Sequence, residues 1–323
     1  MKETGIKLAP VCMVPAFRYG KDTPWGGVGL RRFHKAIPDE RTGESLEVSA
    51  LPGLESRDAS GTALSALLGR YGEVMRGTRV GETFPLLLKL ISARQWLSVQ
   101  VHPDDAYAFK NENGKLGKAE AWVILEAEPD AQIVFGIREG VTRAQLGEAC
   151  RAGGKALEEC LRFTGVRAGE VYSIPAGTVH ALGGGITLAE IQQSSDVTYR
   201  FYDWNRTDAQ GNRRPLHIQK GLDVVRLGPE PCACAGAAVS LGGCAGLRYV
   251  DGPAFTLDRY PVRGRLRLSA TPERFRLMTA LGEGILRWEG GEAQLCRGDS
   301  VFLPAMLEDT ELTGELDILM MAP

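Results

Sequence analysis

One short pattern occurs twice in this chain: a glycine, an acid, four residues suited to a strand, then Pro-Ala. It reads Gly169-Glu-Val-Tyr-Ser-Ile-Pro-Ala176 in the first copy and Gly298-Asp-Ser-Val-Phe-Leu-Pro-Ala305 in the second. Glycine reaches the positive φ that a tight turn demands, and the residues after it favour a pleated strand. Proline brings no N–H to a ladder, so it ends the strand at a corner. A corner repeated far along the chain marks two related β units. Forty glycines scattered between short apolar runs fit the same all-β reading. The copies then diverge, Gly177-Thr-Val-His180 after the first and Met306-Leu-Glu308 after the second. The corner is therefore structural, and the histidine is a functional addition to one unit.

A second stretch, Leu97-Ser-Val-Gln-Val-His-Pro-Asp-Asp105, alternates apolar and polar residues up to a Pro-Asp-Asp breaker. Period-two alternation predicts a half-buried strand. Ser98, Gln100 and His102 then share one face, and Leu97, Val99 and Val101 the other. A wall of Ser, Gln and His either meets solvent or lines a pocket. In a pocket, the amide oxygen and the imidazole nitrogen both suit zinc.

Two further strands carry unexpected charge. Phe84-Pro-Leu-Leu-Leu-Lys-Leu-Ile91 is densely apolar apart from Lys89, which either snorkels to the surface or meets an anion. Lys118-Ala-Glu-Ala-Trp-Val-Ile-Leu125 begins a strand with Lys118 and Glu120 on one face. They form either a solvated ion pair or a metal ligand beside an acid–base group. Helical spacing is expected over Ala63–Tyr71, in a short helix or turn over 104–113, and across 139–162 with Thr142 as N-cap and Leu146, Ala149 and Cys150 inward. The chain has only four histidines: His34, His102, His180 and His217. Gln100, His102, Glu120 and His180 come from three strands and form an oxygen and nitrogen set without sulfur. That set suits a catalytic zinc with an open position, and also manganese, iron or nickel. His34 and His217 read as structural.

Composition narrows the partners. With 323 residues, 44% hydrophobic and 24% charged, the chain can bury a large core in two domains. A net charge of −2 argues against nucleic acid and against an anionic membrane. No run of about eighteen apolar residues offers a spanning helix. Met1–Pro10 lacks an apolar signal core, so a cytoplasmic location is expected. Seven cysteines, an odd number, read as reduced thiols. Cys232, Cys234 and Cys244 follow no common zinc spacing and read as small residues of a connecting segment.

The Gly-x5-Pro-x-Gly-x2-His corner ending at His180 resembles the second motif of the cupin superfamily, where the histidine binds metal inside a small jelly roll. The asparagine common there is replaced by Gly184. Longer stretches resemble type I phosphomannose isomerases in their short bacterial form. They include Trp25-Gly-Gly27, Gly43-Glu-Ser-Leu-Glu-Val-Ser49, Phe84 to Lys89, Leu97 to Asp105 and Lys118-Ala-Glu120. The longest runs from Pro175 through Arg200 to Phe201-Tyr-Asp-Trp-Asn-Arg206. The likeness spans most of residues 24–226 and the rest weakly. Gln-x-His-Pro-Asp, Gly-Thr-x-His-Ala and Glu-x9-Arg are its most specific signatures.

The resemblance implies a mainly β fold of two cupin-type jelly-roll barrels with a few short helices. Residues 1–235 would form a catalytic metal-binding domain, and 236–323 a smaller jelly roll without a metal site. It implies one Zn2+ per chain on Gln100, His102, Glu120 and His180. It further implies interconversion of mannose 6-phosphate and fructose 6-phosphate, by proton transfer through a cis-enediol. Arg200, Glu190, Lys118 and Asp196 match catalytic positions, and Lys89 and Ser98 match positions near the phosphate. The partner is then a small sugar phosphate, while the oligomeric state is left open. Local alternatives stand beside these roles. Glu190 could face outward on its strand, Asp196 could cap the Ser194-Ser195 turn, and Arg200 could pair with Asp203. Tyr202 and Trp204 read as core. The long helical insertion of larger family members is absent, and Trp122-Val123 stands where the family usually has Trp-Tyr. The competing reading is a non-catalytic, sugar-binding or regulatory cupin. Such a relative would be expected to lose Lys118, Glu190 or Arg200, and all three are present.

Overall fold

In the computed structural model of the chain, which describes residues 8–228 and 231–323, both glycine–proline corners form. Val171–Ile174 and Ser300–Leu303 are strands, and the glycines ahead of them, Gly169 and Gly298, sit at φ +93° and +98°. An L side chain is strained at such angles, which explains why glycine opens each copy. Residues 1–7, most of the Met1–Pro10 stretch, lie outside the described residues.

The fold is mainly β, in sheets of nine, six and five strands. The five- and six-stranded sheets each run from one edge strand to another, and the nine-stranded sheet branches at the long strand Thr310–Ala322, so hydrogen bonds close none of the three. Side chains, not ladder bonds, join the layers. Ile91, Trp122, Ile124 and Leu188 of the six-stranded sheet pack on Ile133, Phe135 and Leu182 of the five-stranded one. The other face of the six-stranded sheet presents Leu86, Leu88, Leu90 and Ile191 to Leu257, Leu277, Phe302 and Met321 of the nine-stranded sheet. This central sheet is therefore buried on both faces. That is why its strand Leu86–Ala93 reads as an almost continuous apolar run. Alternation along that strand turns Leu87, Lys89 and Ile91 to the opposite side, where they line a cavity.

The chain's ends are tied together. Strand Val11–Cys12 pairs with Ser300–Leu303, Val11 opposite Phe302. Below it, Lys35 Nζ donates to Glu47 Oε2 and to the Gly298 carbonyl, both at 2.8 Å, while Ser45 Oγ donates to Glu47 Oε1 at 2.6 Å. Lys35 and Glu47 are both buried, and burial holds the Glu47 carboxyl above its ordinary range although Lys35 opposes it. Removing one member of a buried pair strands the other. Lys35→Ala should therefore destabilise the protein by about 3 kcal/mol in denaturant unfolding. A loss under about 1 kcal/mol, the range of exposed pairs, would show that this pair contributes no more than a surface one.

Local expectations are met at several elements. Helix Leu64–Tyr71 follows Ala63, and helix Asp105–Asn111 is capped by Asp104, whose carboxylate accepts the Tyr107 N–H at 2.9 Å. Thr142 caps helix Arg143–Ala152 in a reciprocal box with Gln145. The helix does not run on through 162. Gly153 and Gly154 take φ +67° and +52°, a short helix Gly154–Glu158 follows, and Leu161–Gly165 is a strand. Two successive residues at positive φ break the 3.6-residue period. A second correction concerns Leu97. The strand starts only at Val99, so Val99 and Val101 share one core cluster while Leu97 packs on another and lines the cavity. Among the described residues no helix is long and apolar enough to cross a membrane.

Candidate active site

Gln100 lies on the strand next to the edge of the five-stranded sheet, with His180 opposite on one neighbour and Arg200 opposite on the other. Facing it, the six-stranded sheet brings Glu190 beside Lys89 on one side and Trp122 on the other, with Glu120 opposite Gln192. Groups from the two sheets meet at a cavity of about 140 Å³, lined among others by Lys89, Ser98, Gln100, Lys118, Glu190 and Arg200.

Beside Gln100 and Lys118, two of its lining residues, one ligand atom each of His102, Glu120 and His180 lies within 4.8 Å of the others. All three residues are buried. His180 Nε2 is 3.2 Å from Glu120 Oε1, and His102 Nε2 is 3.5 Å from Glu120 Oε2. Each imidazole turns its Nδ1 to a backbone carbonyl, His102 to Val197 and His180 to Thr178, both at 2.9 Å. Those contacts fix the proton on Nδ1 and leave both Nε2 lone pairs aimed inward, the arrangement a metal-binding histidine needs. Burial pushes the His102 imidazolium down to about 3 and also lowers His180, so both rings are neutral at ordinary pH.

Glu120 bears the opposite sign. Burial alone would raise its carboxyl, but the Lys118 ammonium beside it brings it well below the usual range. Lys118 Nζ lies 2.8 Å from Glu120 Oε2 and 3.1 Å from His102 Nε2. Even so, neither Glu120 oxygen has a properly oriented hydrogen-bond donor among the described residues. Orientation outweighs the short distance here, because a hydrogen bond weakens steeply off-line. A buried carboxylate whose oxygens have no oriented donor, beside two neutral imidazoles, suits a divalent cation, and the Lys118 ammonium supplies positive charge at the same spot. Gln100 stands next to this group, with Nε2 3.2 Å from His180 Nε2 and Oε1 accepting from Ser98 Oγ at 3.2 Å. Amide orientation is assigned by its hydrogen bonds. Turned over, the same side chain would offer its oxygen to the cluster.

Glu190 is doubly held. Lys89 Nζ donates to Oε1 at 3.0 Å, and the Trp122 indole N–H donates to Oε2 at 2.8 Å. It points inward, not to solvent. Lys89 does not snorkel either. It is buried, with a second carboxylate, Glu44, at 3.6 Å. Burial would lower its pKa, but Glu190 and Glu44 raise it on balance, so it stays an ammonium.

Arg200 does not pair with Asp203, whose carboxylate is taken by Arg206 and Arg214. Its Nη1 donates to the Pro215 carbonyl at 2.9 Å, while its buried Nε lacks a partner among the described residues. Burial, and then Arg214, lower its pKa, yet a guanidinium keeps its charge. Asp196 lines the same cavity. It is exposed at the rim and paired with Lys115 at 2.7 Å, which outweighs its partial burial and keeps it ionised.

Some neighbours were not singled out in the sequence. Glu44 sits in the quoted Gly43-Glu-Ser-Leu stretch, where an acid on a fully buried strand is the available signal. The role of Trp122 as a donor had no sequence signal beyond its place after Glu120. His217 is structural as expected, and it holds the backbone of Arg200. Its Nδ1 accepts the Arg200 N–H at 3.2 Å, and its own N–H donates to the Arg200 carbonyl at 2.8 Å. His34 is an exposed, left-handed cap of a 3-10 helix instead of a satisfied core residue. Tyr202 and Trp204 pack in the core as expected.

The chain has known relatives. Residues 20–137 match the family described as phosphomannose isomerase type I, catalytic domain, and residues 246–323 match mannose-6-phosphate isomerase, cupin domain. The chain is 36% identical over 300 residues to mannose-6-phosphate isomerase of Streptococcus mutans, covering 91% of this chain and 93% of the relative. It is 34% identical to mannose-6-phosphate isomerase ManA of Bacillus subtilis, covering 94% and 96%. The crystal structure of the mannose 6-phosphate isomerase from Bacillus subtilis superposes with a TM-score of 0.88 at 33% identity, over 97% of this chain and 99% of that one.

Proposed function

The chain belongs to the type I phosphomannose isomerase family of aldose–ketose isomerases, and on that premise we propose that it interconverts mannose 6-phosphate and fructose 6-phosphate through a cis-enediol. The observation that carries the proposal is the convergence of His102, Glu120 and His180 on one point. That point adjoins a cavity where a held carboxylate, Glu190, and a partly unpartnered guanidinium, Arg200, both stand.

One zinc ion held by Gln100, His102, Glu120 and His180 would supply a Lewis acid for the sugar oxygens. Isomerisation also needs a base that removes the C2 proton and returns it at C1, and a positive group where the enediolate charge develops. Glu190 is the candidate base. Lys89 and Trp122 hold its carboxylate in one orientation while a remaining lone pair can take the proton. Lys118, bound to Glu120, is the second proton-handling group. Arg200 stabilises the enediolate without exchanging protons. Lys89 and Ser98 contact the substrate. Asp196, ion-paired at the rim, serves entry and not proton transfer. We further divide the chain into a catalytic part, 1–235, and a smaller jelly roll, 236–323, with open sheets as the walls of each. We assign the enzyme to the cytoplasm, where sugar phosphates are made and used.

The route is testable in deuterated water. Turnover through an enediol places solvent deuterium at C1 of the ketose phosphate, whereas a direct hydride shift places none. Glu190→Gln keeps an acceptor for one of the two donors, Lys89 or Trp122, and should lower kcat about 10³-fold, within the range of a lost acid–base group. A kcat within tenfold of the parent would remove Glu190 from proton transfer.

A further inference from the structure

Three segments carry the groups around the metal-ligand cluster, and only some are held by sheet pairing. Glu120 is fixed by its strand, opposite Ile174 and Gln192. Lys118 is not on a strand. It ends the loop that follows helix Asp105–Asn111, two residues short of the ladder.

The side chain of Gln193 closes that gap. Gln193 is the last residue of strand Ile186–Gln193 and is buried. Its Oε1 accepts the Ala119 N–H at 2.9 Å, and its Nε2 donates to Asp105 Oδ1 at 2.9 Å. The same Asp105 oxygen accepts the Gly117 N–H at 2.8 Å. The backbone adds Gln193 N–H to Ala119 O at 3.1 Å and Lys118 N–H to Pro103 O at 2.9 Å. The Gln193 amide thus joins the strand of Glu190 to the segment after His102 and to the Ala119 N–H, and Asp105 extends the hold to the Gly117 N–H on the other side of Lys118. Gly117 shows how tight the joint is. A Cβ there would lie 2.4 Å from the Asp104 carbonyl carbon and 2.5 Å from the Asp105 nitrogen, both backbone atoms that cannot yield.

We propose that Gln193 is a positioning residue that, together with Asp105, holds Lys118 over the ligand cluster. The proposal rests on the isomerase reading of the site. Gln193 does not line the substrate cavity and acts only through the 117–119 peptides. A side chain of Lys118's length samples many rotamers unless its backbone is fixed, and misplacement by about 1 Å at a reacting group can cost about 10²-fold in rate.

The test uses the zinc-loaded full chain with mannose 6-phosphate. Gln193→Ala should lower kcat about tenfold or more with KM changed less than about threefold, while bound zinc stays near one per chain. Gln193→Glu keeps the acceptor for Ala119 but sets a carboxylate against Asp105, and should lower kcat similarly. Adding Asp105→Asn to Gln193→Glu sets an amide N–H against the new carboxylate but turns the same amino group toward the Gly117 N–H, so it should recover kcat in part. A merely structural glutamine would lower the melting temperature without this kcat-specific loss and without rescue. The proposal is overturned if Gln193→Ala keeps kcat within twofold, or if the double variant is no better than Gln193→Glu. Failure of the underlying reading looks different: the parent protein itself would bind no zinc or turn over no substrate.

Discussion

Glu120→Ala will lose its metal and its activity together. The carboxylate is the only anion in the group formed with His102 and His180. Without it, a divalent cation would meet two neutral imidazoles, one amide and the Lys118 ammonium, a set with uncompensated positive charge. Bound zinc, measured on the desalted protein, should fall from about one equivalent to near zero, and turnover to background. The strand should survive, since Glu120's backbone pairs with Ile174 and Gln192 whatever its side chain. Retention of a full equivalent would take Glu120 out of the ligand set.

Arg200→Ala should separate metal from chemistry. Its backbone is held by the strand Tyr199–Tyr202 and by His217 on both N–H and C=O. Truncating the side chain therefore removes the guanidinium and leaves its frame. The expected loss in kcat is about 10³-fold, the upper range for removing one stabilising donor, with zinc still near one per chain. Loss of zinc along with activity would mean that Arg200 maintains the site's shape and does not act on developing charge. Arg200→Lys should recover little, because a point charge does not reproduce a planar fork.

The ligand cluster was legible in the sequence for a geometric reason. Period-two facing put Gln100 and His102 on one side although the strand itself is only Val99–Val101, and a proline corner delivers His180 to the neighbouring strand, opposite Gln100. The strands themselves were visible wherever one face is polar. Leu97 failed because alternation in sequence outran the strand, which begins two residues later. The break after Ala152 failed because an apolar period continues past Gly153-Gly154, and only backbone angles reveal the stop. Lys89 could not be settled from sequence at all. Its two carboxylates, Glu44 and Glu190, come from strands far away in the chain and adjacent only in the sheet. The same holds for Gln193, whose amide joins segments that sequence keeps apart. Two jelly-roll barrels were expected; the repeated corners specify turns, and hydrogen bonds close none of the three sheets.

Metal-dependent exchange between mannose 6-phosphate and fructose 6-phosphate is the central claim. It is tested most directly by stripping the protein with chelator, measuring fructose 6-phosphate formed from mannose 6-phosphate, and then restoring one equivalent of zinc. Activity that disappears on stripping and returns with zinc is the predicted result. A stripped protein that turns over at the full rate would contradict the role of the metal, and a zinc-loaded protein that forms no fructose 6-phosphate would contradict the substrate.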